Sequence, residues 1–290
     1  MSKEDSLGDR MKEFEMQFAG VRAMKGIPLV ARLDGRSFHT FTRGLERPFD
    51  QRLSECMIET TKFLVDETHA KIGYTQSDEI SLVWYYPADE AAEYMFDGRI
   101  QKLTSILAAL ASVKFAKMIA EKIPEKVTQV PVFDCRVWQV PTLQIAADAF
   151  LWRELDATKN SISMAAHAYF PHKSLQGMNG SEKQERLWAE KGINWNDYPA
   201  FFKRGTYVQR KTFERALTEE ERNRIPEKHR PDAGKTFTRS SVIELEMPPA
   251  KRCANYVDVI FNNDDPIQYV ATGVQNAVAA MNGNTILELN

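Results

Sequence analysis

Three carboxylates and their neighbours carry the chemistry of this sequence. The apolar run Val30-Ala31-Arg32-Leu33 ends in Asp34-Gly35 and is followed by Arg36-Ser37-Phe38-His39. A second run, Tyr74-Thr75-Gln76-Ser77, ends in Asp78-Glu79. Hard oxygen ligands at strand ends are what a magnesium-dependent phosphoryl transfer needs. In a two-ion site, Asp34 and Asp78 would bridge both magnesium ions and the Gly35 carbonyl would be a further ligand. One ion would activate an attacking hydroxyl and the other would hold triphosphate oxygens, with Glu79 a third ligand or a partner behind the ligands. Gly35 permits close backbone approach. Arg36, Ser37, Phe38 and His39 add a run of backbone N–H groups, a guanidinium, a hydroxyl and an imidazole, a loop able to cradle a triphosphate. Alone, each stretch reads equally well as a turn with solvent-facing acids. Together they predict a site that joins a nucleotide to a nucleic-acid end.

The elements around these stretches decide whether the carboxylates can meet. Pro28 to Asp34 reads as a central strand. Arg36 to Pro48 reads as a loop or short helical turns. Asp50 to Ala70 has helical spacing with Asp50 as N-cap. Lys71 to Gln76 and Ile80 to Tyr86 read as paired strands, the second alternating with a period of two. Asp97 to Ile123 reads as a helix with a stripe of Ile100, Leu103, Leu107, Leu110, Lys114 and Met118, ended by Pro124. A strand over Val130 to Val140 and a helix over Thr142 to Phe170 follow. The order βαββαβ is that of the ferredoxin-like, α+β arrangement. Right-handed crossovers favour the strand order 4-1-3-2, which sets the end of strand one beside the start of strand three, roughly 5 Å apart. Asp34, Asp78 and Glu79 then converge.

Beyond residue 170 the pattern is looser. Gly177 to Gly192 is polar, with Asn179-Gly180 a turn signal. Trp195, Tyr198, Phe201 and Phe202 precede Lys203-Arg204-Gly205-Thr206 and a short strand at Tyr207 to Gln209. Residues 211–235 read as an exposed charged insertion. Ser241 to Met247 alternates as a strand, and Asp265 to Met281 has the spacing of a last helix. The expected division is a catalytic domain over 1–140 with an N-terminal extension, a helical, RNA-contacting region over 141–261, and a tail over 262–290. Lys203 and Arg204 beside aromatics suit an RNA backbone and stacked bases, or equally a snorkelling surface patch. Asp134 and Arg136 share a strand face, as an ion pair or as RNA contacts.

The bulk numbers agree with a globular enzyme. The 290 residues carry a formal net charge of -2, which argues against indiscriminate coating of DNA but leaves room for a local basic face. From Lys203 to Arg252 there are thirteen Lys and Arg against eight Asp and Glu. The three cysteines form no C-x-x-C pair, so no zinc site or disulfide framework is expected. No apolar run approaches the roughly 18 residues of a membrane span, and no secretory signal is visible, so a cytoplasmic protein with reduced thiols is expected.

Several stretches, in order, resemble one family. Arg32-Leu33-Asp34-Gly35-Arg36-Ser37-Phe38-His39, Tyr74 to Glu79, Phe133-Asp134-Cys135-Arg136, Trp152-Arg153-Glu154-Leu155-Asp156 with Asn160, and Lys203-Arg204-Gly205-Thr206 are similar to the tRNA-His guanylyltransferases and the guanylyltransferase-like 3′-5′ polymerases. The resemblance covers residues 28 to about 210 and implies a polymerase-type palm that adds nucleotides at a tRNA 5′ end. It implies metal binding by Asp34, Gly35 and Asp78, an essential Glu79, and nucleotide binding by residues 34–39, Ser77, Asp78 and Lys102. Lys102 otherwise reads as a helix-surface lysine. ATP or GTP would activate the 5′ phosphate, which a nucleoside triphosphate's 3′ hydroxyl then attacks, and relatives assemble as tetramers. Where the guanosine-adding members carry His-Ile-Asn-Asn, this chain has Thr158-Lys159-Asn160-Ser161, keeping only Asn160. That departure points to template-dependent repair of shortened 5′ ends rather than to strict guanosine addition on histidine tRNA. A palm-type nucleotide cyclase and a non-catalytic RNA-binding relative are the readings from other classes.

Overall fold

The computed structural model describes residues 6–232 and 234–269. Its first half runs α1 (Ser6–Ala19), β1 (Leu29–Gly35), α2 (Phe38–Phe41), α3 (Gln51–Thr68), β2 (Ile72–Gln76), β3 (Glu79–Trp84), α4 (Ile100–Lys122) and β4 (Phe133–Gln139). The second half runs α5 (Leu143–Tyr169), α6 (Gly180–Lys191), α7 (Ala200–Arg204), β5 (Thr206–Ala216), α8 (Glu219–Asn223), β6 (Thr236–Glu244) and α9 (Tyr256–Asn262). One six-stranded antiparallel sheet has the order β4-β1-β3-β2-β5-β6. Its first four strands have the order expected from crossover handedness. The register then sets Asp34 opposite Glu79 on one side and opposite Asp134 on the other.

The sheet is covered on both faces, which is why β1 is apolar almost throughout. Leu29, Ala31 and Leu33 pack towards α3 and α4, with Leu82 and Phe115. Val30 packs towards α5, with Tyr74, Val83 and Phe150. Past the sheet's upper end, α5 continues into a third cluster with α6 and α7. Asp50 caps α3 by accepting from the Arg52 N–H, as expected, and Thr142 caps α5 by accepting from Ile145.

The structure departs from the sequence reading in several places. On α4 the buried stripe is Leu103, Leu107, Ala111, Phe115, Met118 and Ile119, so Leu110 and Lys114 lie off it. From Leu103 to Ile119 the buried positions advance by four, so the packed face follows an i+4 row that winds slowly around the helix, whereas the expected stripe kept to the 3.6-residue average. By length and composition alone α4 could cross a membrane, contrary to expectation, but this buried stripe makes it a core helix. Asn179 opens α6 instead of a turn: its side chain accepts from the Glu182 N–H, and Glu182 returns the bond in a capping box. The supposed insertion is a long hairpin. β5 and β6 pair from Val208↔Glu244 to Ala216↔Thr236 and extend the sheet through β2, so the region after residue 140 is not merely helical. The supposed last helix finds no helical turn over residues 265–269, and 270–281 lies outside the described residues.

Candidate active site

Two tight backbone turns build the site. Gln76 pairs with Glu79, so only Ser77 and Asp78 make the β2–β3 turn. The Gly35 N–H donates to the Asp78 carbonyl at 2.9 Å, locking the end of β1 to that turn. Ser37 and Ser77 both have left-handed φ, 57° and 53°. A non-glycine residue held there costs on the order of 1–3 kcal/mol, and such strain gathers at functional sites. Gly35 is required for a reason the sequence did not show. A Cβ there would lie 2.3 Å from the Phe38 ring, so it is Phe38 that approaches the glycine.

Asp34 and Asp78 are brought together; Glu79 is not in the same role. The Asp34 side chain is 42% exposed, with Arg136 Nη1 at 4.0 Å from its Oδ2. Burial pushes the Asp78 carboxyl up, and the Asp34 charge pushes it further. Glu79 faces α5, where Arg153 Nε donates to its Oε1 at 2.5 Å. Burial raises the Glu79 carboxyl and Arg153 pulls it back. Burial works most strongly against the Arg153 charge, but the bonds and charges of Glu79 and Asp156 together outweigh it and raise the guanidinium's pKa. Glu79 is therefore an arginine-paired carboxylate behind the other two.

A cavity of about 1030 Å³ opens beside Asp78. It is lined by polar groups of Gly35, Ser37, His39, Ser77 and Asp78 and by the apolar side chains of Leu45, Phe49, Met164, Phe201 and Phe202. Phe49 stacks obliquely on Phe202 and edge-on to Phe201. The sequence reading missed Arg47, Phe49 and the α5 residue His167, which line the same space. Arg47 is exposed and has no ion-pair partner among the described residues, so it is free to meet an anion. The aromatic run 195–202 was the available signal for the apolar part of the lining.

Phe38 also lines the cavity, but its ring is buried among Phe41, Phe115 and Phe133, so it anchors the loop. Other expected residues fall elsewhere. Arg36 is exposed and does not line the cavity. Lys102 is on the first turn of α4, over the Phe96 ring, and the segment just before it is bonded to Ala23 and Val21. That end of α4 adjoins the start of β1, roughly 20 Å along the strand from Asp34. Asn160 bonds Asp156 on α5. Lys203 lies over Trp195, and burial lowers its pKa. The Arg204 carbonyl accepts from Tyr74 Oη at 2.8 Å. The last two belong to α7, whose Phe201 and Phe202 line the cavity, so they stand near it without facing the carboxylates.

Among the described residues no three His, Cys, Asp or Glu side chains are gathered as a metal cluster. The donor set that remains is two carboxylates and the Gly35 carbonyl, hard oxygens of the kind magnesium takes while keeping waters and substrate oxygens. The mutual repulsion of Asp34 and Asp78 is what a cation between them would relieve.

Known proteins fit this geometry. Residues 8–141 match the family profile described as tRNAHis guanylyltransferase, and residues 145–247 match the Thg1 C terminal domain. A bacterial tRNA(His) guanylyltransferase (Thg1)-like protein solved in complex with ATP is 42% identical, with a TM-score of 0.67, over 70% of this chain and 88% of that one. A bacterial Thg1-like protein in complex with GTP is 33% identical, also at 0.67, over 85% of this chain and 94% of that one. The tRNA(His) guanylyltransferase of Saccharomyces cerevisiae is 30% identical over 200 residues, 63% of this chain and 82% of the yeast protein.

Proposed function

The chain belongs to the tRNA(His) guanylyltransferase family of nucleotidyltransferases, and from that premise we propose that it repairs tRNA 5′ ends by template-dependent 3′-5′ nucleotide addition. The observation that carries this reading is the placement of Asp78 on a cavity lined by both polar and aromatic groups, with the Asp34-Gly35 strand end locked to the same turn. A nucleoside triphosphate suits that lining. Its base meets Phe49, Phe201 and Phe202, and its phosphates meet the amides and hydroxyls of Ser37 and Ser77, with His39 and Arg47 in the same lining.

Asp34, Asp78 and the Gly35 carbonyl would hold magnesium ions, which supply charge neutralisation at the phosphoryl oxygens. The protein's own work is positional. The β1–hairpin lock fixes both carboxylates, and Arg153 holds Glu79 in place behind them. ATP or GTP transfers its nucleoside monophosphate to the tRNA 5′ phosphate with release of pyrophosphate, and the 3′ hydroxyl of an incoming nucleotide then attacks that 5′ phosphate, loses its proton and expels the nucleoside monophosphate. Thr158-Lys159-Asn160-Ser161, in place of His-Ile-Asn-Asn, supports the repair branch over strict guanosine addition. The same reading makes the protein a cytoplasmic homotetramer, which light scattering after gel filtration checks.

The test uses labelled 5′-monophosphorylated tRNAs, full-length and 5′-truncated, with magnesium and each triphosphate. Extension of the truncated tRNA is expected. Silence on it, with guanosine added to full-length histidine tRNA, would replace repair by guanosine addition. Asp78→Ala should lower the rate at least about a hundredfold, the loss of several kcal/mol of charge stabilisation. Undiminished product from that variant would remove the site.

A further inference from the structure

The sheet face that carries Asp34 holds a second cluster, none of whose residues lines the cavity. Arg32 and Arg136 are directly opposed across β1 and β4. Like charges in that position destabilise a strand pair. Arg153 reaches the same place from α5. Its guanidinium lies 4.5 Å from the Trp152 ring centroid, and that of Arg32 lies 5.5 Å away. Trp152 itself is 53% exposed.

A lone exposed tryptophan needs no explanation. This one is held by two guanidiniums and left open, which is a different matter. Arg32 Nε is buried and makes no hydrogen bond. Its nearest carboxylate oxygen, on Glu79, is 3.9 Å away, too long for one. Stranding a buried charged donor is costly unless an acceptor arrives. Arg136 is half-exposed and shares Asp34 and Asp134, at 4.0 and 3.4 Å. The cluster thus has spare donors, an open aromatic ring and a border on the reactive carboxylates.

We propose that Trp152, with Arg32, Arg136 and Arg153, seats the 5′-terminal nucleotide of the RNA, its base stacked on the indole and its phosphate on the guanidiniums of Arg32 and Arg136. The inference rests on the reading above and deepens it. Joining two substrates requires a berth on each side of Asp34, and the cavity supplies only one. Aromatic rings with arginines bind unpaired ends of RNA, where bases are free to stack. Stacking accepts any base, so this berth anchors the 5′ end without choosing its sequence. Choice of the added nucleotide is then left to pairing with the opposite strand.

The experiment measures steady-state kinetics and RNA anisotropy on the full-length protein, using 5′-monophosphorylated and 5′-hydroxyl forms of one truncated tRNA. Trp152→Ala should raise the KM for RNA about tenfold or more, the scale of a lost base stack, with the KM for triphosphate unchanged. Trp152→Phe should restore most of the RNA affinity. Arg136→Met should shrink the preference for the 5′-monophosphate form. Trp188→Ala, an exposed tryptophan on α6, should change nothing. Should Trp152→Ala fail to fold, quenching of tryptophan emission by a 5′-phosphorylated trinucleotide, present in wild type and absent in Trp152→Phe, carries the same test. A shift in triphosphate KM instead, or an unmoved RNA KM, overturns the berth while wild-type product still stands. Absence of wild-type product overturns the parent reading, and the anisotropy arm still decides whether Trp152 binds the RNA end.

Discussion

Arg153 and Glu154 are neighbours on α5, and each ties the helix to the sheet through a buried carboxyl, but in opposite ways. Arg153 leads into a charged chain: Glu79 at 2.5 Å, then Asp156 Oδ2 at 3.0 Å, which also accepts from Asn160 at 3.4 Å. Glu154 leads into one whose partners are all neutral. It accepts from the Ala250 N–H at 2.9 Å and from the Tyr207 hydroxyl at 3.0 Å, and Tyr207 meets Tyr256 at 3.0 Å. Burial pushes the Glu154 carboxyl up, and Arg204 acts on it only from a distance. Burial of a carboxyl therefore does not mark a functional site by itself. The charged chain borders Asp34 and the hairpin tip, where negative charge is useful. The neutral chain pins α5 to β5 and to the segment before α9, where it is not.

The largest expected effect comes from cutting the charged chain. Arg153→Met leaves Glu79 buried without its cation, and breaking such a pair costs about 3–5 kcal/mol. Both side chains are close to 15% exposed, so solvent gives little relief. Adding Glu79→Gln should recover most of that loss in urea unfolding, while activity stays low. If the double variant is as unstable as the single one, Glu79 is not the group Arg153 neutralises.

The neutral chain should respond less, and differently with pH. Glu154→Ala strands the Ala250 N–H and frees one side of Tyr207, costing about 1–3 kcal/mol. Glu154→Gln should be tolerated. Its oxygen accepts from Ala250, its amide donates to Tyr207, and Tyr207 donates to Tyr256. Because the folded-state pKa of Glu154 lies above its ordinary 4.5, the fold favours the protonated carboxyl. That contribution is complete in acid below the ordinary value and is lost as pH rises through the folded-state pKa. Glu154→Gln cannot ionise, so its melting temperature should gain on wild type as pH rises from about 4 to 7. Parallel curves would mean that burial does not raise the Glu154 pKa in the fold.

How legible these two chains were differs as well. The charged one is half-written in the sequence: an apolar strand ending in Asp34 and a hairpin tip carrying Asp78-Glu79, with crossover handedness, place the tip beside β1. Its partner was not legible, because Arg153 meets Glu79 across 74 residues and only the packing angle of α5 decides it. The neutral chain was invisible for the same reason, since Tyr207 and Tyr256 are single tyrosines far apart in the sequence. Elsewhere a signal was present but outweighed. Asn179 and Glu182 spell a capping box, masked by the Asn-Gly turn reading. The β5–β6 hairpin hid its period of two because past Gln209 it leaves the buried sheet, and mostly exposed positions carry charge freely. That the Phe38 ring anchors the loop was not legible, because Phe115 and Phe133, which with Phe41 enclose it, lie far away in the sequence.

The outer link of each chain gives the finest comparison. Tyr256→Phe removes a buried hydroxyl from Tyr207 and should cost about 0.5–1.5 kcal/mol, independent of salt because no charge is involved. Asn160→Ala removes an exposed, long bond to Asp156 and should cost no more than about 0.5 kcal/mol. The two variants separate stability from function. If Asn160 serves only Asp156, Asn160→Ala should leave both unfolding and RNA affinity near wild type. If the charged chain extends to RNA, the same variant should weaken tRNA binding in an anisotropy titration while its urea midpoint stays put. Tyr256→Phe should do the reverse, shifting the midpoint and leaving RNA affinity alone. A tRNA affinity that falls in Tyr256→Phe would mean that the neutral chain also reaches the substrate, and the division between the two would not hold.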